Sequence, residues 1–425
     1  MEPKIIILPV GKGYSMKVTE HFHSDVASFE VEGISMVGNN RTGSLIGLTN
    51  AGKTFVDSIL QAGTAEVSEE LHPLYEALKK NHYFVDDFTK KNRITSAYLH
   101  VTDRCNLHCL GCYSYVKKRN CRQDLTETKI YHILDELAGN GVKILVISGG
   151  EPFIRKDIAS ICRYAKNLGI KVQVITNGTM EKERYEKALP FIDAISVSVD
   201  GFQEDVHFIR DNGIMPQVLD TVRFLKERTD MVNLIFTLHK KNIAYMEQYV
   251  QLAKQLGTTF NFSMLTAAAD NPVFQDYLLG NEEFEQMKAF LKKHHAHITD
   301  SPMDIDYLSC KSRCGAGKMM VSISADGTAY PCHMLHIPAL QLGNVLKEPL
   351  SKIVFRNDNP FLNLDIHHID GCQDCKYGYF CGGGCRARSY LASRNIYAKS
   401  DICDVSYQTL AVKFDRLKQA HGLSS

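Results

Sequence analysis

The 425 residues contain no apolar run of about eighteen or more, the length needed to cross a bilayer as a helix. Nor does the chain open as a secreted protein does, because the short run Ile5-Ile6-Ile7-Leu8 is too brief for a signal peptide's core. An excess of charge is also missing. Lys and Arg number 49 against 48 Asp and Glu, a formal net charge of +1, and the basic residues are spread along the chain. That excludes the concentrated basic surface by which proteins hold nucleic acid phosphates or an anionic membrane. The expectation is a cytoplasmic protein with neither nucleic acid nor membrane as partner. With 44% hydrophobic and 23% charged residues, the chain is globular in composition and long enough for two or three domains.

What the chain holds is cysteine, thirteen in all. In a small secreted protein these would be disulfides, but in a reducing compartment thiols at such short spacings read as metal ligands, and air sensitivity follows. The first group, Cys105-Asn106-Leu107-His108-Cys109-Leu110-Gly111-Cys112, comes after the apolar run Ala97 to Val101. Three thiols spaced CxxxCxxC bind only three irons of a cubane and leave the fourth open to an outside ligand. A ferredoxin cluster takes four thiolates, whereas this loop supplies three and follows a strand end, where barrel folds place their chemistry. A zinc knuckle is the other use of such thiols.

Ahead of this loop, residues 14 to 47 carry short β-rich runs broken by Gly33, Gly38, Asn39, Asn40 and Gly43. Thr49-Asn50 then offers helix caps, Phe55, Ile59 and Leu60 fit one helix, and Leu71, Leu74 and Leu78 share a face of a second before a strand at Tyr83-Phe84-Val85. Asp86 to Arg93 reads as a linker. Beyond it, strand-type runs at 97–101, 143–148, 171–176, 194–199, 231–239 and 259–265 alternate with amphipathic helices near 126–138, 157–168, 180–188, 214–227 and 242–256. Strict alternation implies a parallel sheet with crossover helices, here six units rather than eight, and hence an open barrel with a lateral mouth. Cys162 shares a helical face with Ile158, Ile161 and Ala165 and reads as core, while Cys121 lies in the basic loop Lys117 to Arg122 without an assignment.

The last third holds Cys310, Cys314, Cys332, Cys372, Cys375, Cys381, Cys385 and Cys403, with Gly327 between the second and third. Eight thiols are what two fully ligated four-iron clusters demand, and saturated clusters move electrons rather than bind substrate. Two structural zinc sites are the alternative. Gly371 and glycines 382 to 384 let the chain wrap tightly and bring amides to the sulfurs.

The three-cysteine loop, followed about forty residues later by Gly149-Gly150-Glu151, resembles the radical S-adenosylmethionine enzymes, and the later cysteine pattern resembles their SPASM domain, a twin auxiliary-cluster extension. The resemblance implies that Cys105, Cys109 and Cys112 hold a catalytic 4Fe-4S cluster whose open iron chelates S-adenosyl-L-methionine, releasing a 5′-deoxyadenosyl radical. It implies cofactor contacts at Gly149, Gly150 and Glu151 for the methionine amine, Asn177 and Ser198 for the ribose, and Arg210 for the methionine carboxylate. Family members often carry an aromatic residue just before the third cysteine, where this chain has Gly111, with Tyr113 after the cysteine instead. It further implies crossed ligation of two auxiliary clusters, Cys310, Cys314, Cys332 and Cys385 on one and Cys372, Cys375, Cys381 and Cys403 on the other, making three 4Fe-4S clusters in total. The expected architecture is α/β: an N-terminal winged-helix-like leader-peptide recognition domain (1–90), a partial (βα)6 radical-SAM barrel (94–300) and a C-terminal SPASM auxiliary cluster domain (301–425).

The function so implied is maturation of a ribosomally synthesised precursor peptide bearing a leader, with a one-electron reductant such as flavodoxin or ferredoxin as second partner. A thioether link from cysteine sulfur to carbon is the first choice of product, an auxiliary cluster accepting the electron that bond formation leaves. The alternatives are a carbon-carbon link and anaerobic sulfatase maturation, whose enzymes carry Asp directly after the cysteine aligned with Cys332, where this chain has His333. An electron-transfer protein without radical chemistry is the non-enzyme alternative, and it leaves the open iron without a use.

Overall fold

Short-range pattern accounts for most of the elements of the chain, seen here in a computed structural model that describes residues 15–86, 94–114, 119–121, 123–267, 272–294 and 308–420. The apolar start, most of the expected linker and half of the basic loop at 117–122 lie outside these residues.

The leading unit runs β1 (Ser15–Thr19), β2 (Val26–Val31), β3 (Ile34–Asn39), β4 (Leu45–Gly47), α1 (Asn50–Ala62), β5 (Thr64–Ser68) and α2 (His72–Lys80). Strands β2, β3 and β4 form an antiparallel meander, while β1 pairs antiparallel with β5. Thr49 caps α1, its side chain accepting from the Gly52 N–H at 3.1 Å, and Gly63 stops it in the left-handed conformation at φ +65°. Two expectations are corrected here. The sequence reading saw no strand between the helices, yet β5 is there, with Ala65 and Val67 alternating inward. The expected strand at Tyr83 to Val85 reduces to a single bridge between Phe84 and Phe22. Tyr83 and Phe84 are nonetheless buried, so their apolar character reports packing rather than pairing.

The second unit alternates as expected: β6 (Ser96–Thr102), α3 (Glu127–Gly139), β7 (Ile144–Gly149), α4 (Ile158–Asn167), β8 (Lys171–Thr176), α5 (Lys182–Ala188), β9 (Ala194–Val199), α6 (Met215–Lys226), β10 (Val232–Leu238), α7 (Met246–Leu256), β11 (Thr259–Met264), then α8 (Asn281–His294). Strands β6 to β11 lie side by side in sequence order, all parallel. The helices bury their periodic residues against the sheet. In α3 these are Ile130, Ile133, Leu134 and Leu137, each worth about 1.5–3 kcal/mol of burial. In α4 they include Cys162, a core residue whose thiol burial pushes up to about 12.

The sheet does not end at β6. From the cysteine-rich last third, β12 (Met320–Ile323) pairs parallel with β6, and β13 (Thr328–Tyr330) and β14 (Gly343–Asn344) follow antiparallel, making nine strands in one partial-barrel sheet. Val321 and Ile323 are fully buried in this position, where β12 covers an edge that would otherwise present unpaired backbone groups. Gly327, part of the cysteine pattern, makes the β12–β13 turn at φ +84°. Short helices α9 (Leu350–Val354), α10 (Gly378–Cys381) and α11 (Arg386–Ser393) and the longer α12 (Cys403–Ala420) complete the region.

The leading unit is fastened to this last region. Glu32, at the β2–β3 turn, pairs with Lys376 and with Lys418 at 2.9 Å and accepts from the Tyr377 hydroxyl at 2.9 Å; Lys376 above all brings its carboxyl down to about 2. Phe29 stacks on Tyr379 with ring centroids 4.5 Å apart. No helix among the described residues is long and apolar enough to cross a membrane.

Candidate active site

The chain leaves β6 at Thr102 and the cysteine loop begins at once. Thr102 donates to Asp124 Oδ1 at 2.6 Å, and Arg104 sends Nε and Nη2 to Asp124 Oδ2 at 3.0 and 2.6 Å. Asn120 grips Cys105 from both sides, accepting from its N–H at 2.9 Å and donating to its carbonyl at 3.1 Å. Across the barrel, the His108 N–H donates to Asp211 Oδ1 at 2.9 Å and the Leu110 N–H to the Ile209 carbonyl at 2.7 Å. The loop is therefore fixed by sequence-distant partners.

One pocket at the strand ends is lined by Cys105, Cys109, Cys112, Gly149, Gly150, Asn177, Ser198 and Arg210. These are all but one of the residues expected to serve the radical centre and its cofactor. The exception is Glu151, which is fully buried and spends its carboxylate inside the fold: Oε1 accepts from the Phe153 N–H at 3.0 Å and the Thr176 hydroxyl at 2.9 Å, Oε2 from the Asn177 N–H at 2.7 Å. It braces the glycine turn against the end of β8. The glycines, too, answer first to the chain itself, since a Cβ on Gly149 would collide with the Thr102 carbonyl and one on Gly150 with that of Arg104. Glu151→Gln puts an amide NH2 against one of three donors and is expected to destabilise the protein by about 1–3 kcal/mol in chemical denaturation. Burial pushes the Glu151 carboxyl up to about 7, so the folded protein keeps its proton where the unfolded chain, at 4.5, has lost it. Its contribution to stability therefore falls as pH rises from about 4.5 through 7, and the Gln variant loses that dependence.

Each thiol of the loop faces an N–H donor. Asn177 Nδ2 lies 3.9 Å from Cys105 Sγ, Arg210 Nη1 3.6 Å from Cys109 Sγ and Arg119 Nη2 3.2 Å from Cys112 Sγ. Burial raises the Cys105 and Cys109 thiols; at Cys112 it is outweighed by Arg119 and Ser114, and the thiol lies below its ordinary value. Donors and cations around three thiols fit a group of net negative charge such as an iron-sulfur cluster. Asp200, directly after β9, holds Arg210 in place by accepting from the Ile209 and Arg210 N–H groups at 2.9 and 3.2 Å. The sequence reading missed Arg119 and Asp200. The signal for Arg119 was a basic loop just past Cys112; for Asp200 it was a carboxylate at a strand's C-terminal end.

Gly111 has φ +72°, a conformation that L side chains rarely adopt, and a Cβ there would press on Leu265 Cδ1 at 2.6 Å, so the aromatic residue usual in the resembled family is disfavoured at this position. Tyr113 turns the other way, edge-on to His333 with centroids 5.4 Å apart, while Tyr98 stacks on His333 at 4.0 Å. All three line the pocket, and burial pushes His333 down to about 4, so this wall is uncharged at neutral pH.

Most of the later thiols gather in one region, and one does not. Burial raises the Cys372 thiol, and Cys381, Cys403 and Cys375 are near enough to add to the effect. Cys332 and Cys372 belong to one buried cluster with Ala316 and Leu335, and Cys314 and Cys385 pack against it, so thiols of both expected sets meet there. Cys310 faces elsewhere. Its sulfur donates to Asn40 Oδ1 at 3.3 Å, its N–H to the Gly43 carbonyl at 3.0 Å, and a Cβ on Gly38 would overlap it. Among the described residues no three His, Cys, Asp or Glu converge on a single metal ion; a cubane, with thiolates spread over its corners, makes no such demand. The donor chemistry of this region also fits an absent acceptor: the Arg386 Nε is buried without a hydrogen-bond partner in the described structure, and the thiols acting on that guanidinium are Cys314, Cys372, Cys385 and Cys381. A sulfur-rich anionic cluster supplies what Nε lacks.

Comparison with known proteins agrees with this geometry. The Radical SAM superfamily pattern matches residues 99–253, and that of SPASM, an iron-sulfur cluster-binding domain, residues 314–376. The chain is 28% identical to an AdoMet-dependent heme synthase of Methanosarcina barkeri over 71% of this chain and 94% of that protein. It is 25% identical to mycofactocin maturase MftC of Mycolicibacterium smegmatis over 75% and 84%. Its fold superposes on Streptococcus suis SuiB bound to its precursor peptide SuiA with a TM-score of 0.58 at 14% identity, over 90% of this chain and 99% of that one. The chain is an enzyme that carries a Radical SAM domain on a partial barrel with a SPASM domain behind it, two domains that imply S-adenosylmethionine and 4Fe-4S clusters.

Proposed function

We propose that the protein matures a ribosomally synthesised precursor peptide, recognised by its leader through residues 1–90, altered in the barrel of residues 94–300, with the SPASM domain of residues 301–425 alongside. The observation that carries this reading is the leading unit, a folded module fastened by Glu32 and Phe29 to the region whose His333 and Met334 border the pocket. SuiB, with its peptide, matches 90% of this chain, a span that residues 94–425 alone do not fill, and MftC is a maturase by name.

In this reading Cys105, Cys109 and Cys112 hold the catalytic cluster, and Gly149, Gly150, Asn177, Ser198 and Arg210 hold S-adenosylmethionine, with Glu151 bracing them. Cys314, Cys332 and Cys385, with Cys310 as the fourth candidate, hold one auxiliary cluster, and Cys372, Cys375, Cys381 and Cys403 the other, about twelve irons in all. When bound and reduced, the catalytic pair supplies a 5′-deoxyadenosyl radical that takes hydrogen from the substrate. Asp200 keeps the Arg210 guanidinium at the pocket, the bond to Asn106 keeps Asn177 there, and the Tyr98, Tyr113 and His333 wall keeps water from the reacting carbon. The product proposed is a thioether between a peptide cysteine and a carbon, two hydrogens lighter than the substrate. A flavodoxin or ferredoxin is the proposed electron donor.

The test peptide is to be sought as the product of a short cysteine-containing reading frame beside the gene. A chain starting at residue 94 is expected to cleave S-adenosylmethionine reductively yet bind that peptide at least tenfold more weakly, about 1.4 kcal/mol, by fluorescence anisotropy. Equal affinity would leave the leading unit as a structural cap. The similarity to a heme synthase favours a second reading, heme-forming chemistry, which the same truncation tests because such chemistry needs no leader.

A further inference from the structure

Arg386 follows Cys385 directly and is among the largest fully buried side chains of the protein, 1% exposed. Its head is held by carbonyls alone: Nη1 donates to those of Ile396 and Ala398 at 2.8 and 2.9 Å, and Nη2 to that of Gly383. None of these partners carries charge. A buried cation without an anion costs several kcal/mol, and carbonyl dipoles recover only part of it.

The positions of those carbonyls matter. Gly383 sits in the loop between Cys381 and Cys385, which the proposed ligation assigns to different clusters, and Ile396 and Ala398 belong to the segment that leads to Cys403. Thiols of both sets act on the guanidinium, Cys314 and Cys385 from one and Cys372 and Cys381 from the other. Nε itself is buried without a hydrogen-bond partner in the described structure.

We infer that Arg386 is a shared electrostatic clamp for the two auxiliary clusters, its single buried charge offsetting their negative charge and its Nε donating to sulfur. This rests on the two-cluster reading of the SPASM domain. A fixed cation near a cluster stabilises the reduced form, which carries one more negative charge, and so raises the reduction potential. One cation near both raises both. Arg386 is a positioning and tuning residue rather than a catalytic one.

The test is anaerobic, EPR-monitored redox titration of the reconstituted full chain in a Cys105, Cys109 and Cys112 triple Ala background, where only the auxiliary clusters remain to be read. Iron near eight per chain establishes that both are present; a lower count there, with Arg386 intact, counts against the two-cluster reading instead. Arg386→Gln, neutral but still a donor, is expected to lower both midpoint potentials by at least the 59 mV that equals a tenfold change in a one-electron equilibrium. Arg386→Lys, which keeps the charge, is expected to stay much closer to the parent. Unchanged potentials in the Gln variant, or a shift in one cluster only, overturn the inference. If the Gln variant fails to hold iron, the Lys variant decides: parent-like potentials support a role for charge, while loss of iron there as well makes Arg386 a loop brace and overturns it.

Discussion

Changing Cys105, Cys109 and Cys112 together to Ala will remove about four of about twelve irons and abolish reductive cleavage of S-adenosylmethionine. The effect is expected to be all or nothing because the three thiols share one pocket and each has its own donor, Asn177, Arg210 or Arg119. Without sulfur ligands those donors have no anion to face. The loop itself should survive, since its grip comes from Asn120, Asp124 and Asp211 rather than from the thiols. Iron analysis paired with chromatography of 5′-deoxyadenosine checks this. Zinc in place of iron, or an unchanged iron count in the variant, would falsify the cluster assignment.

The second large effect separates two cysteines that sequence alone treats as equals. Cys332→Ala is expected to abolish the cross-linked peptide while leaving part of the cofactor cleavage, because Cys332 immediately precedes His333 in the pocket wall. Cys310→Ala should keep substantial turnover. Its thiol, pushed up to about 12 by burial, bonds to Asn40 and packs over Gly38 of the leading unit. Its loss is expected to cost about 1 kcal/mol of stability and to loosen the leading unit rather than empty a cluster. Peptide mass, lower by two hydrogens, and resistance of the substrate cysteine to alkylation report the product. A modified peptide whose cysteine still alkylates freely would replace the thioether with a carbon-carbon link or another oxidation. Equal loss of iron in the two variants would restore Cys310 as a cluster ligand.

The behaviour of Cys310 shows how far spacing carries an argument. Metal ligands that lie close in sequence must lie close in space, so CxxxCxxC at 105 to 112 and the run Cys372 to Cys385 announced themselves, as did the sixfold alternation of strands and helices. Periods of 2 and 3.6 residues are local, and burial of Ile130, Ile133, Leu134 and Leu137 follows from them almost without tertiary information. Cys310 and Cys314 are equally close in sequence, yet one turns to the leading unit and the other to the cluster region. Backbone direction over four residues is a tertiary matter.

What the sequence by itself determined was therefore the motifs and the repeat: a three-cysteine loop after a strand, a second cysteine set of SPASM spacing, and a partial parallel barrel between them. Only the tertiary structure decided which groups serve that chemistry indirectly. Glu151 belongs to a family motif, but its carboxylate points into the fold because the Phe153 and Asn177 N–H groups and the Thr176 hydroxyl meet there. Arg119, Asp200 and Arg386 belong to no motif that spacing reveals. A side chain that acts through distance and charge leaves no periodic trace in sequence, and β12 joins β6 only because an edge 220-odd residues away in the chain needs covering. Ligand spacing is short-range and legible; electrostatic support of the ligands is long-range, and it becomes visible only when the chain has folded.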